Sequence, residues 1–106
     1  MSEENEDWVL QEGSIAVQQK ALHGIQCMDP RTLLIYALWV CDYGMRNAGD
    51  LLPALDIFPD VLKAGKRSAD TLEIVVARKL FGLDKDQFEN MYFEKFDSVC
   101  DEIRSL

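Results

Sequence analysis

The chain has 106 residues, 48% hydrophobic and 28% charged, and its 19 acids against 11 bases give a formal net charge of −8. That length and balance describe one globular domain and argue against a disordered chain. The excess of carboxylates disfavours direct nucleic-acid binding, because a phosphate backbone demands clustered Lys and Arg.

The acids are unevenly placed. Residues 1–19 hold five acids and no base, residues 84–106 hold seven acids and three bases, and residues 20–83 hold seven acids and eight bases. A fold that brings the two ends together would carry a negative face suited to a basic protein partner. Three cysteines, Cys27, Cys41 and Cys100, are odd in number and unrelated in spacing. They suit free, core-packed thiols in a reducing compartment better than a disulfide framework. The longest apolar run is well short of the ~20 residues that cross a bilayer, and the acidic beginning lacks the basic leader of a secretory signal. No membrane association is expected, and the expected location is cytoplasmic.

In chain order, residues 1–13 read as an acidic N-terminal arm, helical or frayed, before a single helical domain over residues 14–106. Ser14 is placed to cap a helix running to about Met28, with Ile15, Leu22 and Ile25 at helical spacing. Asp29-Pro30 is a strong start signal, since the carboxylate accepts unpaired backbone N–H groups and proline fits the first helical position. The helix it opens, about residues 30–47, contains the unbroken hydrophobic run Leu33 to Cys41 and stops at Ala48-Gly49. A helix apolar on every side must be surrounded, so this is the expected centre of the fold. Gly44 inside it costs about 1 kcal/mol relative to alanine and marks a close helix contact or a bend.

Asp50 is placed to cap a shorter helix that Phe58-Pro59 ends, with one further turn over residues 60–64 and a polar connector at Gly65-Lys66-Arg67-Ser68. Asp70 and Glu73 then form a capping-box pair opening a helix that Gly82 stops, its stripe made by Leu72, Val75, Val76 and Leu80. The β-branched run Ile74-Val75-Val76 raises a strand alternative that the flanking caps outweigh. Asp84 with Gln87 repeats the capping arrangement. The last helix, Lys85 to about Arg104, turns Phe88, Met91, Tyr92, Phe96, Val99, Cys100 and Ile103 inward and leaves Glu89, Glu94, Asp97, Asp101 and Glu102 to solvent. The expected fold is all-α, an irregular bundle of about five helices around the buried helix at residues 30–47.

Candidate site residues cluster where that central helix ends. Asp42 and Arg46 are spaced i, i+4 for an ion pair, and with Tyr43 and Asn47 they form either a structural helix end or a polar pocket for a small ligand. Trp8 and Phe93 fall outside the core pattern and are candidate anchors for a partner. Lys63, Lys66 and Arg67, with Arg78 and Lys79, either balance nearby acids or complement the acidic ends of a second copy and so favour a homodimer. His23 and Cys27 share a helix face, but two ligands make no zinc site, and neither a metal nor a cofactor is expected. Templates for nucleophilic catalysis and phosphate binding are missing: there is one histidine, no GxSxG, no GxxxxGK[ST] and no GxGxxG.

The stretch Trp39 to Gly49 (WVCDYGMRNAG) resembles the aromatic-acid-Asn-Gly helix end of a group of small helical bacterial proteins that includes an acidic DNA mimic. Ala48 interrupts the Asn-Gly step, and no site residue is carried over. The function expected from the residues is a non-catalytic protein-interaction or regulatory module. The alternatives are an acidic inhibitor that occupies the positive cleft of a nucleic-acid-binding protein, and an enzyme or small-ligand binder using the Asp42 pocket.

Overall fold

The Asp29-Pro30 start signal works as its chemistry demands: Asp29 Oδ1 accepts from the Thr32 N–H at 2.8 Å, and helix α2 runs Pro30–Ala48. Gly49 closes it in the left-handed conformation at φ 75°, its N–H donating to the Met45 carbonyl. Within α2, Leu34 to Leu38, Val40 and Cys41 are all buried. The computed structural model describes residues 3–106, and α2 is the central element of an all-α bundle. Around it come α1 (Glu3–His23), a 3-10 turn (Ile25–Cys27), α3 (Leu52–Ile57), α4 (Val61–Leu72), α5 (Val76–Phe81) and α6 (Lys85–Arg104), with no strand among the described residues. No helix of these is long and apolar enough to cross a membrane.

Helices α1, α3 and α4 pack directly on α2, while α6 packs on α5 and α1. Close approach depends on residues without bulk. A Cβ on Gly44 would sit 2.9 Å from the Asp50 carbonyl oxygen, so glycine there is what lets the start of α3 lie against α2. Gly13 of α1 faces the Trp39 ring and Gly65 of α4 faces the Phe81 ring, each in space that a Cβ would occupy.

Three expectations about the helices are corrected. The first is the break at Ser14. Helix α1 runs through it, the Ser14 hydroxyl donating back to the Leu10 carbonyl, so the arm at residues 1–13 is helical over its described part and continuous with the rest of α1. The buried face of α1 is Asn5, Val9, Gly13 and Ala16, whereas Ile15 and Leu22 are exposed, Leu22 to 77%. A small-residue face seats the helix on Trp39, and the larger apolar residues lie outside it.

The second is the connector at residues 65–68, which is the middle of α4, with Val61, Ala64, Gly65, Ser68 and Ala69 buried. These small residues recur at helical spacing, and the Lys66 and Arg67 between them point outward. Asp70 is therefore inside a helix, paired with Lys66 at 2.9 Å, and Glu73 ends that helix at φ 59°. The Asp70–Glu73 capping box does not form, and the helix expected over residues 70–81 is replaced by the end of α4 and a separate α5, giving six helices among the described residues.

The third concerns α6. Its start is as expected, Asp84 Oδ1 accepting from the Gln87 N–H at 2.8 Å, and its inward stripe is buried except for half-buried Met91. Glu102 and Glu89 are not idle surface acids. Glu102 accepts from the Val75, Val76 and Ala77 N–H groups, each at 2.9 Å, and so caps α5 from another helix. Glu89 Oε2 accepts from the Leu51 N–H at 2.8 Å ahead of α3. Of the cysteines, Cys41 and Cys100 are buried as expected, but Cys27 is exposed.

Candidate functional site

The end of α2 projects Asp42 inward. It is only 5% exposed, and both of its oxygens are engaged. The Tyr92 hydroxyl donates to Oδ1 at 2.6 Å, and Arg46 Nε reaches Oδ1 at 2.8 Å and Oδ2 at 2.9 Å. Arg46 extends further, its Nη1 bonding Glu6 Oε1 of α1 at 2.6 Å and its guanidinium lying 5.5 Å and 5.1 Å from the ring centres of Phe93 and Phe96. One arginine thus ties α2 to α1 and α6.

The electrostatics arise from burial and from this partnership. Burial, and after it the Asp42 charge, raise the Tyr92 pKa well above its ordinary value, so the hydroxyl keeps its proton and serves as a donor. Burial works against the Arg46 charge, but Asp42, by charge and by hydrogen bond, and then Glu6 outweigh it and hold the guanidinium above its ordinary pKa. Burial also pushes the Cys100 thiol up to about 12 and the Cys41 thiol higher still, with Asp42 adding to both. Neither thiol is poised as a thiolate nucleophile.

Four of the expected site residues do share a surface. Asp42, Tyr43, Arg46 and Asn47, with Leu10 and Trp39, line a hollow of about 140 Å³. Within it the Tyr43 ring stacks along Trp39 at 6.4 Å, and Asn47 Nδ2 donates to the Tyr43 carbonyl at 2.7 Å. Trp8 packs against the core with the Arg104 guanidinium 5.8 Å from its ring centre. Phe93 is 42% exposed and meets Tyr92 edge-on at 5.2 Å.

The acidic ends come together. Asn5 Nδ2 of α1 donates to Asp97 Oδ1 at 2.9 Å and Asp101 Oδ1 at 3.3 Å, and Arg104 bridges Asn5 Oδ1 and Glu4 Oε1, each at 2.9 Å. The bases of the middle segment do not form one patch. Lys66 is held by Asp70, which also lies 3.9 Å from Arg78, while Lys63 and Arg67 border a hollow of about 530 Å³ beside Phe58 and Met28.

Lys79 belongs elsewhere, to a larger feature that sequence reasoning missed. Helices α5 and α6, joined through the turn at Gly82-Leu83, border an open groove of about 590 Å³. Val75, Val76, Leu80, Leu83 and Met91 form its apolar surface, and Lys79 and Lys95 stand at its sides. Among the described residues neither lysine side chain has an ion-pair or hydrogen-bond partner. Val75 is 45% exposed there. The available signal was the β-branched pair Val75-Val76: it reads as helix stripe, yet Glu102 anchors its backbone and leaves the Val75 side chain outside the core.

Among the described residues no group of three or more His, Cys, Asp and Glu side chains is placed to hold a metal ion. Compared with protein-family models, with curated proteins and with solved structures, the chain matches none.

Proposed function

We propose that this protein is a non-catalytic interaction module that receives a segment of another protein in the groove between α5 and α6. The observation that carries this reading is the groove itself, an apolar concavity flanked by two lysines without partners among the described residues. An apolar surface held open to water gains free energy when a partner covers it, at about 25 cal/mol per Å² removed from water. The polar groups of the Asp42 site are by contrast satisfied from within, and its hollow is small for anything beyond a few waters, at ~30 Å³ each.

Affinity capture from a host lysate with the native chain and with a Val75→Gln/Met91→Gln double variant tests the reading. A partner held by the native chain and lost by the folded variant is the expected outcome. A partner held equally by both refutes the groove. The second reading, a basic protein held on the acidic face, is favoured by the junction of α1 and α6 at Asn5. It calls for a partner whose retention falls steeply as salt is raised and is indifferent to the groove variant.

A further inference from the structure

We infer that the α5/α6 groove is the seat of a short acidic amphipathic helix, its apolar face on Val75, Val76, Leu83 and Met91 and its carboxylates on Lys79 and Lys95. The inference rests on the interaction-module reading and adds the chemistry of the partner. Three observations select that occupant.

The first is the shape of the walls. Both sides of the groove are helices joined by a tight turn, so a third helix laid in the crevice packs side chains between theirs. An added β-strand would need an exposed sheet edge, and no strand exists among the described residues. A polyproline segment needs a groove walled by aromatic rings, and no aromatic residue lines this one. Helix-in-groove recognition is the mode that these walls support.

The second is charge. The chain as a whole is at −8, yet the charged side chains at this groove are both cationic. Lys79 and Lys95 have no ion-pair partner among the described residues, which is also true of Lys20, Arg31, Lys63 and Arg67, but no carboxylate lines this groove, so its two cations face it uncompensated. They are placed one on each wall, so a helix lying between them meets a cation on either flank. A basic segment would set like charges together, which costs free energy and selects against it.

The third is the rigidity of the seat. Val75, Val76 and Ala77 are tethered through their N–H groups to Glu102, and Leu80 is buried, so the apolar wall is formed before any partner arrives. A preformed wall avoids the ordering cost that would otherwise weaken binding.

Panning a displayed library of random peptides of ~15 residues, about four helical turns, against the full chain tests the inference. The expected selection carries apolar residues at i, i+3 or i+4, and i+7 with Asp or Glu on both flanks. Synthetic copies should bind a Lys79→Glu/Lys95→Glu variant at least about tenfold more weakly, and exchanging their acids for lysine should restore binding to that variant. Groove-dependent peptides with no excess of acid, bound equally by the charge-reversed variant, would overturn the acidic helix and leave the interaction reading standing. Peptides indifferent to Val75→Gln/Met91→Gln, or no enrichment at all, would overturn both. Sedimentation of the chain alone closes the remaining route: a dimer dissociated by the groove variant would assign the seat to a second copy and refute the peptide.

Discussion

The Asp42 site and the α5/α6 groove each set charge beside apolar surface, and they resolve it in opposite ways. At Asp42 every charged group has found its counterpart inside the chain: a carboxylate with Tyr92 and Arg46, and an arginine with Glu6 and two aromatic rings. At the groove the apolar wall is open and the lysines beside it have no partner among the described residues. A closed network of this kind specifies how helices pack, because each group removed leaves another unsatisfied in low dielectric. An open one has interaction free energy still to be realised with another molecule. The difference separates a site whose charges are paired within the chain from the one proposed to receive a partner.

The contrast breaks first at Asp42 if it is wrong. Asp42→Ala strands the buried Tyr92 hydroxyl and leaves Arg46 to Glu6, and should cost about 2–3 kcal/mol of unfolding free energy, measured by urea titration. Tyr92→Phe should cost less, about 1–2 kcal/mol, since Arg46 still holds the carboxylate. A cost below about 1 kcal/mol for Asp42→Ala would remove the structural role assigned to the network.

Alkaline pH attacks the same region through protons. Cys41, Cys100 and Tyr92 have native pKa values above their ordinary ones, so the native state keeps protons that the unfolded state releases. Their contribution is complete below pH ~8.5, where an unfolded thiol is still protonated, and is lost as pH rises toward the native values, at ~1.4 kcal/mol per unit for each group in its window. For Cys100 that window closes at about 12. Unfolding midpoints monitored by circular dichroism should fall above pH 9, and Cys41→Ala/Cys100→Ala should flatten that fall.

Glu102→Ala tests the support of the groove wall. Loss of an acceptor for three N–H groups at the start of α5 should destabilise by about 1–2 kcal/mol, and amide exchange at Val76 and Ala77 should quicken more than at Phe88. Unchanged exchange there would mean that α5 stands without its tether. The smallest effect belongs to the groove lysines: Lys79→Glu/Lys95→Glu should change stability by no more than about 0.5 kcal/mol, because no partner among the described residues is lost. A large loss of stability would show that these lysines serve the fold.

Much of the fold was legible because local chemistry and global packing agreed. The Asp29-Pro30 start, the Gly49 stop, the apolar run of α2, the Asp84 cap and the stripe of α6 are each signals that one segment carries alone. Where the signals failed, the deciding partner lay elsewhere in the chain. Ser14 looks like a cap, but Gly13 and Ala16 seat an unbroken helix on α2. Gly65 to Ser68 look like a connector until the rings and helices that need small neighbours are in place. In the candidate site the Asp42–Arg46 pair was legible from its i, i+4 spacing, whereas Tyr92 and Glu6 joined it from positions that no spacing rule links to α2. The groove was not legible, since Lys79 and Lys95 lie on different helices and came to line one cavity only when α5 and α6 packed together.

Taken alone, the sequence determined the helical class, the identity of the central helix and the starts of α2 and α6, because capping and hydrophobic periodicity act within a few residues. The tertiary structure decided which acids became caps, which small residues became contact points, and which cations were left without partners. Those outcomes depend on what another helix brings within about 3 Å, the range of a hydrogen bond, and that is a property of packing rather than of local pattern.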